Sequence, residues 1–438
     1  MKFQLEQSDE FLTAHSGLIL PGLLMAQTDL NAELNKTKIP NNPSPHISNA
    51  DVVVSYLGLL CQGKSDFDHI EAFREDIFFK EALMLDAVPS SPTLRQRLDA
   101  GALLDWNKIV MEAGLAVLKA QKPTVTPSLR KLVPLDLDVS PFDNSNTNKE
   151  GVSYTYKGFN GYAPIFAYLG EEGYCVGVEL REGKTHSQHN TPAFLRSSLN
   201  NARMVTSSII LVRMDSGFDS IDNIKVCLKG EAEFIIKRNI RKESPEEWLA
   251  LAKKNGEYYL ERPGKEVYTG HTYIDRGLEK PLRVVFKVIL RTIDAKSQIL
   301  LIPDIEVQTF WTSLPDKPEV IIQQYQGLGT MEQFHSEFKT DMDLERFPSG
   351  KFATNELVLT LGVVSYNMLR FIGQQSLLVK DTPLRKQAQR RRVRTVIQNL
   401  ITIAAKLVYH ARRYKLRFGR HSPWLNALKR IYIAIDSA

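Results

Sequence analysis

From the start of the chain to about residue 125, apolar positions recur at helical spacing. The segment 50–61 (ADVVVSYLGLLC) follows Ser48 and Asn49, both good N-caps, and 71–87 keeps the same period. Ser91 as N-cap and Pro92 at the first helical position predict a further helix. Its first turns hold Thr93, Arg95, Gln96 and Arg97. Polar and basic residues there are what a DNA-recognition helix needs, and also what an ordinary surface helix carries. Two prolines mark 121–128 (QKPTVTPS) as a linker.

From Lys131 the period shortens to two. Strands are predicted over 132–139, 162–169 and 174–180, the last two joined by a short Gly-containing turn as a hairpin. A helix over 191–204 leads to 208–214 (SIILVRM), an almost wholly apolar strand of the kind buried on both faces. A helix near 220–228 and a strand over 234–238 follow. This order implies a mixed sheet with helices against its faces. Residues 239–313 read as a β-rich insertion, with strands over 283–291 and 299–312. Helices resume near Thr330 and continue through 356–378 and 390–413. The chain therefore reads as a mixed α/β protein in three parts: a helical region 1–125, an α/β domain 131–379 carrying the insertion, and a basic helical region 380–438.

At 438 residues and 43% hydrophobic, the chain can bury a large core. Cys61, Cys175 and Cys227 lie far apart, with no CxxC or Cys/His cluster, which argues against a disulfide framework or a structural zinc site and fits a reducing interior. The acidic start lacks the order of a signal peptide, and no run of about 18 uncharged apolar residues occurs. The expectation is a cytoplasmic protein with no membrane partner. The net charge of +6 is uneven: from Lys380 onward, 15 Lys and Arg face only Asp381 and Asp436, a net of +13, so the rest sums to −7. Such a tail is the footprint of a polyanion partner, most often nucleic acid, or of a solvated Arg-rich helix. Arg390, Arg391, Arg392 and Arg394, with Arg385 and Lys386 just before them, are its densest run.

Three fragments carry candidate chemistry. Asp136 and Asp138 lie two apart on the strand 132–139, hence on one face, where paired like charges need a compensating cation. Asp138, nearer the strand's C-terminal end, is the better ligand, with Asp136 second. Asp215 ends the apolar strand 208–214 and precedes a Gly turn, as a site residue or a helix cap. In 325–339 (YQGLGTMEQFHSEFK), Thr330 and Gln333 fit a capping box, which places Glu332 in a first helical turn and Lys339 two turns on along the same face. Carboxylates at strand and helix ends suit Mg2+, a hard cation needing few protein oxygens.

Together these fragments resemble the DDE transposases of bacterial insertion sequences, in the class named for a Tyr-x2-Arg-x3-Glu-x6-Lys signature. Tyr325, Glu332 and Lys339 stand at that spacing, and Asp138 and Asp215 fall at the matching strand ends. Lys149-Glu150-Gly151, the Lys157-Gly158 turn and 180–183 (LREG) add to the likeness, which runs from about Leu132 to the C-terminus. Leu328 occupies the signature's Arg position. The resemblance implies an RNase H-like catalytic domain. It further implies Asp138, Asp215 and Glu332 as ligands of two Mg2+ ions, for which Mn2+ would substitute, and in-line phosphoryl transfer without a covalent protein intermediate. The implied partners are the inverted repeats at the element's ends, target DNA and a second copy of the chain. Tyr325 and Lys339 would contact phosphate, as would Arg390, Arg391, Arg392 and Arg394; Lys157 and Lys184 would follow DNA or stand as solvated surface lysines. Apart from the likeness, which starts at Leu132, the helix start at Ser91 offers Arg95 and Arg97 to read bases, and Trp311 would stack on an unpaired base or lie in the core. A catalytically silent DNA-binding derivative and an RNase H-like nuclease are the competing readings.

Overall fold

The computed structural model describes residues 3–40, 42, 44–294, 296, 298–384 and 388–437, so Arg385 and Lys386 lie outside the described residues. A short strand β1 (Leu12–Thr13) precedes helices α1 (Ile19–Ala26), α2 (Leu30–Lys36), α3 (Asn49–Leu60), α4 (Ile77–Ala82), α5 (Ser91–Gly101) and α6 (Trp106–Gln121). Then come β2 (Val133–Val139) and a small antiparallel sheet of β3 (Phe142–Asp143), β4 (Ser153–Tyr154) and β5 (Asn160–Tyr162). β6 (Ile165–Leu169), β7 (Tyr174–Glu179), α7 (Thr191–Val205), β8 (Ile210–Met214), α8 (Ile221–Lys229) and β9 (Glu233–Arg238) follow the order read from the sequence.

The β-rich stretch opens on a helix, α9 (Pro245–Asn255), because Ser244 accepts from the backbone N–H groups of Glu246 and Glu247 and Pro245 is preset for a first turn. Strands β10 (Glu257–Arg262), β11 (Lys265–Ile274), β12 (Leu282–Ile293) and β13 (Ile299–Thr312) come next. Helices α10 (Pro318–Gln326), α11 (Met331–Ser336), α12 (Phe352–Gln375) and α13 (Val393–Val396), a hairpin of β14 (Ala405–His410) and β15 (Arg413–Phe418), and α14 (Leu425–Asp436) complete the chain.

Among the described residues, nine strands form one sheet in the order β10-β11-β12-β13-β9-β8-β2-β6-β7. Only β2/β8 and β8/β9 are parallel. β13 pairs with β9, so the β-rich stretch extends the same sheet instead of building a layer of its own. One face, with Leu135, Leu137, Val212 and Met214, packs under Leu195, Ile224 and Trp248 of α7, α8 and α9. The other face joins the largest core, where Phe166 and Tyr168 meet Phe334 and Phe338 and, beyond them, α12.

Helix α12 is apolar on nearly every side and would suit a membrane by length and composition, but 94% of its apolar stretch is buried in the protein. Leu24, Val53, Leu57 and Leu118 of the N-terminal helices share its core, so these helices pack around α12 and have no separate centre. Cys61, Cys175 and Cys227 are buried and unpaired.

The helix predicted over 390–413 is a correction. Only α13 and one π-helical turn (Ile397–Ile401) form there, and the chain then enters β14, whose edge pairs with β1. The segment 413–418 (RYKLRF) alternates basic and apolar positions with period two, and a strand can bury that alternation where a helix would smear it around its surface.

Candidate active site

β2 and β8 run parallel, with Asp136 opposite Arg213 and Leu137 opposite Met214. The next residue on each, Asp138 and Asp215, therefore ends adjacent strands side by side, on the face covered by α11. After Met214 the chain turns at once. The Asp215 carboxylate accepts from the Gly217 N–H at 2.9 Å and caps a short turn (Ser216–Phe218), so this residue serves both as a cap and as part of the acid pair.

The two acids share a cost. Burial pushes the Asp138 carboxyl up to about 7, and the charges of Asp215 and, more weakly, Glu332 push the same way; the Val139 N–H, donating at 2.8 Å, and Lys157 oppose them. Burial also raises Asp215, against the Gly217 N–H and Lys237. Asp136 is different, and corrects its reading as a second ligand. Arg213 grips it from both sides, Nε to Oδ1 at 2.6 Å and Nη2 to Oδ2 at 2.7 Å, so its charge is neutralised by protein.

Glu332 arrives on a helical run that the sequence misplaced. α10 passes through a 3-10 turn (Gly327–Thr330) straight into α11, Thr330 has helical backbone, and no capping box forms. Gly327 holds helical dihedrals (φ −58°, ψ −21°) and is a contact residue: a Cβ there would stand 2.4 Å from Arg213 Nη1. The same Nη1 donates to the Gln324 carbonyl at 2.7 Å. Glu332 is thus exposed partway along this run, and Leu328, at the signature's Arg position, is buried in the helical core.

A π-helical turn (Glu337–Asp341) then shifts the register before Lys339. The Lys339 Nζ donates to the Pro141 carbonyl at 2.6 Å, just past β2, and burial lowers its pKa. Tyr325 packs on Phe310 with ring centroids 4.8 Å apart, and burial together with Asp215, Asp138 and Asp136 holds its hydroxyl proton well above the usual range. Two neighbours were missed. Tyr156 donates to the Val139 carbonyl at 3.0 Å and is pushed up to about 12 by burial, Asp138 and Asp215. It precedes the Lys157-Gly158 turn, which was the available signal. Lys237 follows Ile236, the partner of Met214, and so stands level with Asp215.

The donor chemistry fits a hard divalent ion: the three acids offer only oxygens, and none takes part in an ion pair among the described residues. Also among the described residues, no three His, Cys, Asp or Glu side chains are drawn around a single ligand point. The fit lies in uncompensated negative charge at two strand ends.

Residues 2–438 match the family described as transposase DDE domain group 1. The chain belongs to the DDE transposases. No curated protein matches it. Among solved structures it is similar to a piggyBac transposase, in a cryo-EM synaptic complex with hairpin DNA, at 13% identity and a TM-score of 0.44, over 90% of this chain and 82% of that one. Family membership makes the transposase a metal-dependent enzyme that cuts and transfers DNA.

Several positions read as DNA contacts serve the transposase's own fold. Trp311 is 1% exposed and its indole N–H donates to Asp219 at 2.8 Å, so it is not a stacking platform. Arg97 is buried and donates to the Asn49 side chain at 2.7 Å. The cap of α5 is Ser90, not Ser91, and its first turn faces Asp68 and Glu71, acids that would repel phosphate. Arg95 is half-exposed beside Asp68, and Lys184 pairs with Glu182 at 3.0 Å. Arg390 binds Glu337, Arg392 and Arg394 bind Asp341, and Arg391 is buried over Trp424. The tail's densest charge clamps the π-helical turn.

Proposed function

We propose that this transposase binds the ends of its own mobile element, cuts them and joins them to target DNA, with Asp138, Asp215 and Glu332 holding the divalent ions. The observation that carries the reading is the contrast on β2: Asp136 is bound by a protein cation, whereas Asp138, one pleat further on beside Asp215, forms no ion pair among the described residues and is pushed up to about 7. Bound Mg2+, with Mn2+ as a substitute, would supply the charge that activates a water or 3′ hydroxyl and stabilises the leaving oxygen. The protein's own residues would position: Tyr325 and Lys157 lie close enough to the acids to feel or offset their charge, which supports a role for both at a phosphate there, and Lys339 braces the exit of β2. The strand order β7-β6-β2-β8-β9 supports the RNase H-like reading. The signature spacing supports placement among the insertion-sequence enzymes of bacteria, acting as a dimer on DNA in the cytoplasm.

The test is cleavage of element-end DNA with Mg2+ or Mn2+. Asp138→Ala, Asp215→Ala and Glu332→Ala should each abolish cleavage and leave DNA binding intact. Normal cleavage by Glu332→Ala would remove it from the set. Supplying pre-cut ends with a target plasmid separates a transposase, which joins them, from a nuclease, which does not.

A further inference from the structure

We propose that the β14–β15 hairpin is a phosphate-tracking surface, a two-stranded ribbon that lies against duplex DNA; this rests on the reading above that the chain handles DNA. No Asp or Glu occurs between Asp381 and Asp436. With the 390–394 arginines bound to Glu337, Asp341 and the core, the densest exposed charge among the tail's described residues lies on the hairpin.

The register sorts that charge. Lys406 opposite Arg417, Val408 opposite Lys415, and His410 opposite Arg413 share one face. Ala405 opposite Phe418 and Leu407 opposite Leu416 share the other, which turns toward Ile19, Phe78 and Leu428. The apolar face is therefore directed at the protein and the basic face at solvent. β1 takes the free edge of β14, which leaves β15 outermost.

Arg412, Arg413, Lys415, Arg417 and Arg420 are all exposed. Among the described residues, the hairpin's one ion pair is Lys406 with Glu10. The connection is a two-residue turn with Ala411 (φ 54°) and Arg412 (φ 60°) both left-handed, positions that favour Asn and Gly. A cation thus stands at the tip where a small residue would be easier to hold. Side chains two apart on a strand repeat about every 6.8 Å, so Arg413, Lys415 and Arg417 form a row about 14 Å long. A two-stranded ribbon fits a major groove about 12 Å wide. Glu10 engages Lys406 at one end of that face, and Arg413, Lys415 and Arg417, which form no ion pair among the described residues, can each displace a counterion from DNA.

The experiment uses the full chain and measures affinity for random duplex DNA across a range of salt. In R412Q/R413Q/K415Q/R417Q, the slope of log affinity against log salt should fall by about 0.9 per lost contact, and affinity near 0.1 M salt by at least about tenfold. Melting temperature should be unchanged. K253Q/K254Q, which removes two exposed lysines of α9, should leave the slope as it is. If the quadruple variant folds poorly, Arg413→Gln and Arg417→Gln singly should each lower the slope by about one unit. A parent chain that binds duplex with a steep slope, and a quadruple variant with the same slope, would overturn the hairpin's role alone. A parent chain with no affinity for duplex would overturn the functional reading and this surface with it.

Discussion

Arg213 and Asp136 face each other across β8 and β2, joined by two hydrogen bonds of 2.6 and 2.7 Å, one pleat before Asp215 and Asp138. The same guanidinium reaches the Gln324 carbonyl, so one buried side chain ties two strands to the helical run that carries Glu332. Breaking a buried pair strands a charge. Arg213→Met should cost about 3–5 kcal/mol, and D136L/R213M should recover most of it, as measured by urea unfolding. A single variant as stable as the parent would show that the pair does not hold the fold.

Asp138 sets a pH dependence. Its folded pKa is raised from 3.8 to about 7, so between those values the folded state binds more protons than the unfolded one. Its contribution to stability is full below about 3.8 and lost as pH rises through about 7. A bound cation replaces the proton, so the rise in Tm produced by Mg2+ or Mn2+ should grow with pH up to about 7. Asp138→Asn should lose that growth. An equal metal effect at acid and alkaline pH would contradict it.

The tail arginines should behave as structural residues. R392A/R394A leaves the buried Asp341 carboxylate short of donors and should cost about 1–3 kcal/mol in urea unfolding. The salt dependence of DNA binding should stay as in the parent. A flatter slope at unchanged stability would return these residues to the DNA surface.

Removing residues 1–121 should abolish soluble folding, because Val53, Leu57 and Leu118 cover α12. Soluble yield and resistance to limited proteolysis would check this. A soluble, protease-resistant remainder would show that the sheet and α12 suffice.

The sequence by itself determined the strands of the central sheet and named the candidate acids. Alternation over 132–139 and the apolar run 208–214 dictate strands whichever way they pair, and an Asp at a strand's exit is visible as such. Signature spacing singled out Tyr325, Glu332 and Lys339 as candidates, because spacing along the chain survives any packing. Tertiary structure decided which charges are free. Asp136 reads like Asp138 until Arg213, 77 positions away, is seen opposite it. Nothing in the sequence around Gly327 points to the Arg213 guanidinium beneath it, which leaves no room for a side chain there. The arginines of 390–394 read as a DNA surface until Glu337 and Asp341 meet them, and the hairpin after them reads as a helix until β1, from the other end of the chain, pairs with it. An ion pair or a strand edge depends on a partner distant in sequence, and periodicity within a short window carries no trace of that partner.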